Sequence, residues 1–513
     1  MRIVKSQQLQ IGQIDIAGIK LDLKSRDDIP HILLGLQHIY LNEPLREEVF
    51  EILEKVKPTR SGKELTEEQR DQAVDSNKGR PGMEQWTILV LGVLRLGLNT
   101  DYDRIHELAN QHQTIRQMLG HSDWCDETTY HLQTIKDNLR LFTPDILDQI
   151  NRAVVKAGHA LVKKSPNGGP IATHEEEKLY TRCDSFVLET NVHFPTDLNL
   201  LYDAVRKAIE ESHELAETYG LPGWRQYQYN IRVFKRQYRK VQKLRHSTAA
   251  DEKKREAREA ELQCEYLTYL HLALDYLESS EQTLQQATEK KALSVETAQL
   301  IEYQNYIKIL QDQIFRRTLL KEKIPHDEKI FSIFEPHTEW ISKGKAGVPV
   351  ELGLRVGIIE DQYRFILHHQ VMQQQTDDKI AVSIVQETRQ RFPGLSGMSF
   401  DKGFHSVKNQ KELTSLLEQV TLPKKGRLNK TEKARESSPE FKRHRRQHSA
   451  VESAINALEH NGLDICPDHG IEGFKRYASL AIVSRNIKRL GAIIRQQELE
   501  KEERRRGPYK KAA

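Results

Sequence analysis

Residues 350–371 read VELGLRVGIIEDQYRFILHHQV, and this stretch decides the fold. Val350, Leu352, Leu354, Val356 and Ile358 share one parity, Glu360-Asp361-Gln362 supplies a turn, and Tyr363, Phe365, Leu367, His369 and Val371 alternate back. Strand side chains alternate between faces with period two, so the pattern predicts an antiparallel hairpin. Upstream, LYTRCDSFVLET at 179–190 is rich in β-branched and aromatic residues and predicts another strand. Downstream come an amphipathic helix from Lys379 to about Arg391, a strand LSGMSF at 395–400, a helix over 406–419, a short strand VTLP, and a helix containing HSAVESAINALEH.

Strand, long insertion, hairpin, helix, strand, helix, strand, helix is the element order of an α/β ribonuclease-H-like core with a helical insertion after its first strand. The right-handed crossover rule lets the two later βαβ units share one sheet. The core is expected over 175–200 and 328–495, with the insertion at 201–327. Within the insertion, Tyr227, Ile231, Phe234, Tyr238, Val241 and Leu244 trace one helix face, and Arg232, Lys235, Arg236, Arg239, Lys240 and Lys243 make the remainder basic. The aromatic residues read as core and the basic face as a candidate for phosphate contact. Ahead of the core, residues 1–75 suggest short strands (Ile11, Ile14, Ile16, Ile19, Leu21, Leu23) and a helix around Glu47 to Val56, closing in the polar linker KPTRSGKELTEEQRDQ. Residues 76–165 form a helical block with N-cap residues before its apolar runs, suited to DNA-end binding or to dimerisation. The segment 496–513, containing EERRRGPYKK, reads as a basic disordered tail.

At 513 residues the chain exceeds a single core, and 37% apolar content supports folded domains. The 78 Lys and Arg nearly cancel 74 Asp and Glu, leaving a net charge of +4, so any nucleic-acid signal has to come from local clustering. Four scattered cysteines with no CxxC pair argue against a disulfide scaffold or a structural zinc module, and fit a reducing cytosol. Cys466-Pro-Asp-His469 resembles half a metal site but has no second half nearby. There is no apolar targeting segment, and the most apolar run, Trp86 to Leu98, is too short to span a bilayer. The expectation is a soluble cytoplasmic protein with no membrane partner.

Three acids stand out by context. Asp184 lies mid-strand, where a charge is costly unless it faces solvent or a cation. Asp401 ends a strand before Lys402-Gly403, at the carboxyl edge of the sheet, where sites in open α/β sheets are built; it also suits the opening of a turn. Glu452 follows Ser449 by three residues and so satisfies a capping box, but Ser438-Pro439 is a better helix start and would leave Glu452 mid-helix, at the edge of the face formed by Val451, Ala454, Ile455 and Leu458. Three carboxylates suit a pair of Mg²⁺ ions, which take oxygen ligands and, roughly 3.5–4 Å apart, clamp the attacking and leaving oxygens of a phosphoryl displacement. Between Lys424 and Arg446 ten Lys or Arg face only Glu432, Glu436 and Glu440, and this run leads directly into the helix of Glu452. Lys424, Lys425, Arg427, Lys442, Arg443, Arg445, Arg446 and His448, with Lys402, Lys343 and Lys345, are therefore candidate DNA contacts.

At these residues the chain resembles bacterial insertion-sequence transposases of the DDE superfamily, close to the ISNCY grouping. The similarity rests on GRPGMEQWTILVLGVLRLGLNTDYDRIHELAN, RCDSFVLETNVHFPTDLNLLYDAVR, FEPHTEWISKGKAGVPVELG, FDKGFHS and HSAVESAINALEHNGLDICPDHGIEGFKRY. The resemblance implies that Asp184, Asp401 and Glu452 form a catalytic, metal-holding triad. It implies two Mg²⁺ ions (Mn²⁺ substituting), nicking at the element's terminal repeats and attack of the freed 3′-hydroxyl on target double-stranded DNA. A homodimer or higher oligomer is implied in synapsis. Related transposases often carry Arg four residues before the Glu and Lys seven after it; here those places hold His448 and Glu459. A catalytically silent DNA-binding protein and a metal-dependent nuclease of the same fold are the alternative readings.

Overall fold

The computed structural model describes residues 3–6, 8–9, 12–57, 82–122, 126–163, 178–246, 251–290, 295–342 and 349–506. Its strands are β1 (Leu179–Thr190), β2 (Glu339–Ser342), β3 (Val350–Asp361), β4 (Ile366–Met372), β5 (Leu395–Phe400), β6 (Gln419–Thr421) and β7 (Ile465–Cys466). The chain divides into two compact units, one spanning Val192–Gly344 and the other built from the flanking segments.

In the flanking unit β1 is central. β3 lies antiparallel to it, with Asp184 opposite Ile358, and β4 folds back antiparallel on β3. The 350–371 alternation thus forms the expected hairpin, its turn closed by Arg364 at a φ of +69°. On the other side of β1 run β5 and then β6, both parallel, and β7 adds two parallel residues beside Glu189 and Thr190. The result is a mixed α/β architecture around a mixed sheet.

Both faces of the sheet are covered. Phe186, Leu188, Leu354, Val356 and Ile358 join a core with the N-terminal helices and the long helix Gly470–Arg506. Cys183, Ile359, Leu367, Met398 and Phe400 face the opposite way, into a second core with helices Asp377–Arg391 and Val407–Leu416.

Three sequence expectations need revision. The apolar alternation near the N-terminus forms no strand among the described residues; Ile16–Gly18 is a 3₁₀ turn, and Gln37 Nε2 donates to the carbonyls of Ile16 and Ile19, satisfying backbone that a sheet would otherwise pair. Two helices follow, Asp28–Leu41 and Glu43–Glu54. Asn42 ends the first and its side chain caps the second by accepting from Leu45 N. Second, the helical block at 85–163 shares one continuous core with the sheet, because Gly470–Arg506 packs on helices Asp28–Leu41, Gln85–Gly97 and Pro144–Lys163. Third, residues 496–506 continue that long helix: Arg495 Nε donates to Leu23 O and Gln497 Nε2 to Leu161 O, which anchors its last turns. Residues 58–72, most of the expected polar linker, and 507–513 lie outside the described residues.

Among its described residues the unit Val192–Gly344 has four helices, Asp197–Tyr219, Tyr227–Arg245, Glu252–Glu289 and Val295–Thr318, packed on one core. Thr196 and Asn199 form a reciprocal capping box at its first helix. The apolar stripe of Tyr227–Arg245 points inward as expected: Phe234 stacks on Tyr202 and Tyr269, and Phe234 and Val241 are fully buried. Among the described residues no helix is long and apolar enough to cross a membrane.

The close crossing of helices Asp28–Leu41 and Gly470–Arg506 needs two glycines. A Cβ on Gly491 would stand 1.9 Å from His31 O, and one on Gly35 2.3 Å from Ile487 O. Backbone cannot yield as a flexible side chain can, so Gly491→Ala is expected to destabilise the protein by about 2–3 kcal/mol. Urea denaturation checks this; a midpoint unchanged from the parent would show that the helices separate freely.

Candidate metal and nucleic-acid site

β1 and β5 run parallel with Cys183 beside Phe400, so the next residues, Asp184 within β1 and Asp401 just past the end of β5, lie at the same level. Asp184 is half-buried and accepts from Ser185 N at 2.8 Å. Asp401 is exposed and begins the 3₁₀ turn Lys402–Phe404, accepting from Gly403 N; it is both a sheet-edge acid and a turn opener.

Glu452 comes from the third direction. Ser438 caps Pro439–His448 by accepting from Phe441 N, as the Ser-Pro pair predicts. The helix is interrupted at Ser449 and resumes as Ala450–Leu458, which packs on β1. Ser449 makes no side-chain cap; its hydroxyl donates to Arg446 O, so Glu452 takes no part in a capping box. Val451, Ala454 and Leu458 are buried while Glu452 is exposed at the edge of that face.

Electrostatics ties these groups together. Burial pushes the Asp184 carboxyl up from the usual 3.8 to about 6; the Ser185 N–H opposes this, and the negative charges of Asp401, Asp377 and Glu452 add to it. Asp184 therefore lies in the field of the other two acids singled out in the sequence. Among the described residues no three His, Cys, Asp or Glu side chains stand close enough as placed to enclose a metal ion. The three side chains offer only oxygen donors, the ligand type that Mg²⁺ takes.

Asp377 is the acid that sequence reasoning missed. It opens helix Asp377–Arg391, its Oδ1 accepts from Ser185 Oγ at 2.7 Å, and a Cβ on Gly403 would stand 2.8 Å from its Oδ2. Its sequence signal, the pair Asp377-Asp378 in a first helical turn, is the ordinary dipole-favoured placement of acids and gave no reason to choose it.

The candidate cations divide. Lys442, Arg443, Arg445 and Arg446 are exposed on Pro439–His448 and make no ion pair among the described residues; Lys402, Lys425 and Arg427 are likewise exposed and unpaired there. Lys424 is occupied by Glu432, with Nζ 2.7 Å from Oε2. Lys343 and Lys345 lie outside the described residues. His448 is half-buried, its Nδ1 is 3.1 Å from Ser399 Oγ, and burial lowers its pKa below the usual 6.5 despite Asp401 and Glu452 nearby, so at pH 7 the ring is mainly neutral. A cavity of about 290 Å³ adjoins it, lined by Tyr180, Arg182, Ser399, His444 and Gln447 among others. Arg182 there is matched by buried Glu360 at 3.1 Å. Asp468, in the Cys466–His469 stretch, is held by Arg95 and Arg476, so that segment serves an ion-paired core.

No protein-family model, curated protein or solved structure matches the chain.

The raised pKa of Asp184 carries a sign. Below pH 3.8 the carboxyl is protonated folded or unfolded and costs nothing; as pH rises toward 6 the unfolded chain releases its proton first, so the folded state loses stability. The full cost, of order 2–3 kcal/mol, is present above pH 6. In EDTA, Asp184→Asn is expected to be more stable than the parent at pH 8 and equal to it near pH 4. Thermal melts at both pH values check this, and a variant less stable at pH 8 would contradict it.

Proposed function

We propose that the chain is a DNA transposase of an insertion sequence, which binds terminal repeats, nicks their ends and joins the freed 3′-hydroxyl to target DNA. The observation that carries this reading is the convergence of Asp401 and Glu452 on Asp184, each from a separate element and all within electrostatic reach. The strand order β4-β3-β1-β5-β6, with β3 antiparallel and β5 parallel to β1, is that of a ribonuclease-H-like core and supports the same reading. So do the unpaired cations on Pro439–His448, one helix before Glu452.

Asp184, Asp401 and Glu452 would hold two Mg²⁺ ions, which when bound supply Lewis acidity at the phosphodiester. The chain's own residues do the rest. Exposed Lys442, Arg443, Arg445 and Arg446 draw the DNA backbone to the acids. The helix edge keeps Glu452 in solvent, where it can reach the other two acids without the desolvation that Asp184 bears. Asp184 must lose its proton to act as a ligand, so metal binding should weaken as pH falls from 7 toward 5.

The test is purified protein with a labelled duplex carrying the element's ends, Mg²⁺ and a target plasmid. Joined products that vanish in Asp401→Asn, with a drop of at least a thousandfold, are expected. Cleavage without joining would indicate a nuclease, and a salt-sensitive mobility shift without cleavage a silent DNA-binding protein.

A further inference from the structure

The helix Tyr227–Arg245 contains seven Lys or Arg and no Asp or Glu over 19 residues. Its apolar stripe is consumed by the bundle core, where Phe234 and Val241 are fully buried. What remains outward is cationic: Arg232, Lys235, Arg236, Arg239 and Lys243 are all exposed, and at three- and four-residue steps they form one stripe. None of the five makes an ion pair with a described residue. Lys240, at the edge of the stripe, is the exception, held by Glu265 on the neighbouring helix.

Cations that merely solubilise a helix are usually interspersed with acids, as in the adjoining helix Glu252–Glu289, which begins EKKREAREAE. An acid-free stripe accumulates self-repulsion along its length, which mobile salt screens in part and a polyanion, with its charges held in a row, relieves further. Past the helix's C-terminal end Arg245 borders a cavity of about 590 Å³. Of the other cations there, Arg255 pairs with Glu252, Arg317 with Asp197 and Lys321 with Glu259, so the acid-free stripe ends at Arg245.

We infer that this face of the helical unit is a second binding surface for the phosphate backbone of double-stranded DNA, tracking it in the direction of the helix axis. From Arg232 to Lys243 the helix rises about 16 Å. One DNA strand presents a phosphate about every 3.4 Å along its axis, so about five phosphates pass five cations over that length. A single-strand platform would need successive exposed rings, and of the helix's four aromatic residues, Tyr227, Tyr229, Phe234 and Tyr238, only Tyr229 is exposed. Backbone contact of this kind carries no base specificity; it fixes position and adds affinity. The inference extends the DNA reading above without depending on the acids being catalytic.

The test uses the full chain and a 40-base-pair duplex, with affinity measured by fluorescence anisotropy from 50 to 300 mM salt. The triple variant Arg232→Gln, Arg236→Gln, Arg239→Gln changes only exposed side chains, and circular dichroism melts confirm that it folds. The slope of log affinity against log salt is expected to become shallower by about 3, with more than tenfold weaker binding at 100 mM. A Lys442→Gln, Arg443→Gln variant should lower the slope by about 2 on its own, and combining both sets should lower it by about 5. A triple variant within twofold of the parent at every salt concentration overturns the proposal. So does a parent that binds anionic vesicles or single-stranded RNA more tightly than the duplex. Failure of DNA joining with an intact triple-variant effect would reject the transposase reading and leave this one standing.

Discussion

The backbone of Ile366 is where the sheet is held. β4 has β3 on one side only, so its outer edge offers unpaired N–H and C=O groups deep in the core. Two buried asparagines satisfy them. Asn486 Oδ1 accepts from Ile366 N, and both Asn486 Nδ2 and Asn151 Nδ2 donate to Ile366 O; the pair is closed by a 2.7 Å bond from Asn486 Nδ2 to Asn151 Oδ1. Because Asn151 sits on Pro144–Lys163 and Asn486 on Gly470–Arg506, this network joins the helical layer to the sheet edge. One turn away buried Asp361 repeats the device, accepting from Tyr363 N and Phe365 N and pairing with His159 Nε2 at 2.5 Å. An unmet polar group at either place would cost a few kcal/mol, so the hairpin cannot slide.

A hairpin fixed in register fixes β1, and β1 fixes the acids. Its side chains alternate between Cys183, in one core, and Asp184, on the other face, so a slip of one residue would bury the carboxylate among Met398 and Phe400. The strain that remains is electrostatic: half-buried Asp184 lies in the field of Asp401, Asp377 and Glu452, which holds its carboxyl above the usual range. Asp377 belongs to this balance, because it reaches Ser185 from the opposite face of the sheet and adds to the field on Asp184.

The elements that were legible in the sequence are those whose signal is local. The hairpin and the Ser438 helix start follow from period or capping chemistry within a few residues, and each formed as expected. The placement of Asp184 in a strand and of Asp401 at a strand end was legible, because apolar and aromatic residues mark both strands. The insertion was legible to within about twenty residues, 201–327 against the unit Val192–Gly344, but the union of the N-terminal helices with the sheet was not. Helix Gly470–Arg506 reaches back across nearly the whole chain to pack on Asp28–Leu41, and no local pattern announces that partnership; the glycines that permit it, Gly35 and Gly491, look like ordinary weak points in helices. The C-terminal charges looked like a tail because Arg495 and Gln497 are tied to backbone carbonyls that only the folded chain brings near. Asp377 was hidden for a related reason, since its importance lies in Ser185, 192 positions away.

Net charge conceals how the cations are spent. Lys424 is neutralised by Glu432, Arg182 by Glu360, and Arg95 with Arg476 by Asp468, so these serve the fold. The unpaired cations on Pro439–His448 and on Tyr227–Arg245 are a different population, exposed and with few acids to answer them: Glu440 alone on the first helix and none on the second. A basic run read from sequence counts both kinds alike, which is why the excess of seven between Lys424 and Arg446 overstates what that segment offers a polyanion. Surface cations left unpaired contribute little to stability and repel one another along a helix, so neither group is accounted for by the ion pairs that serve the fold.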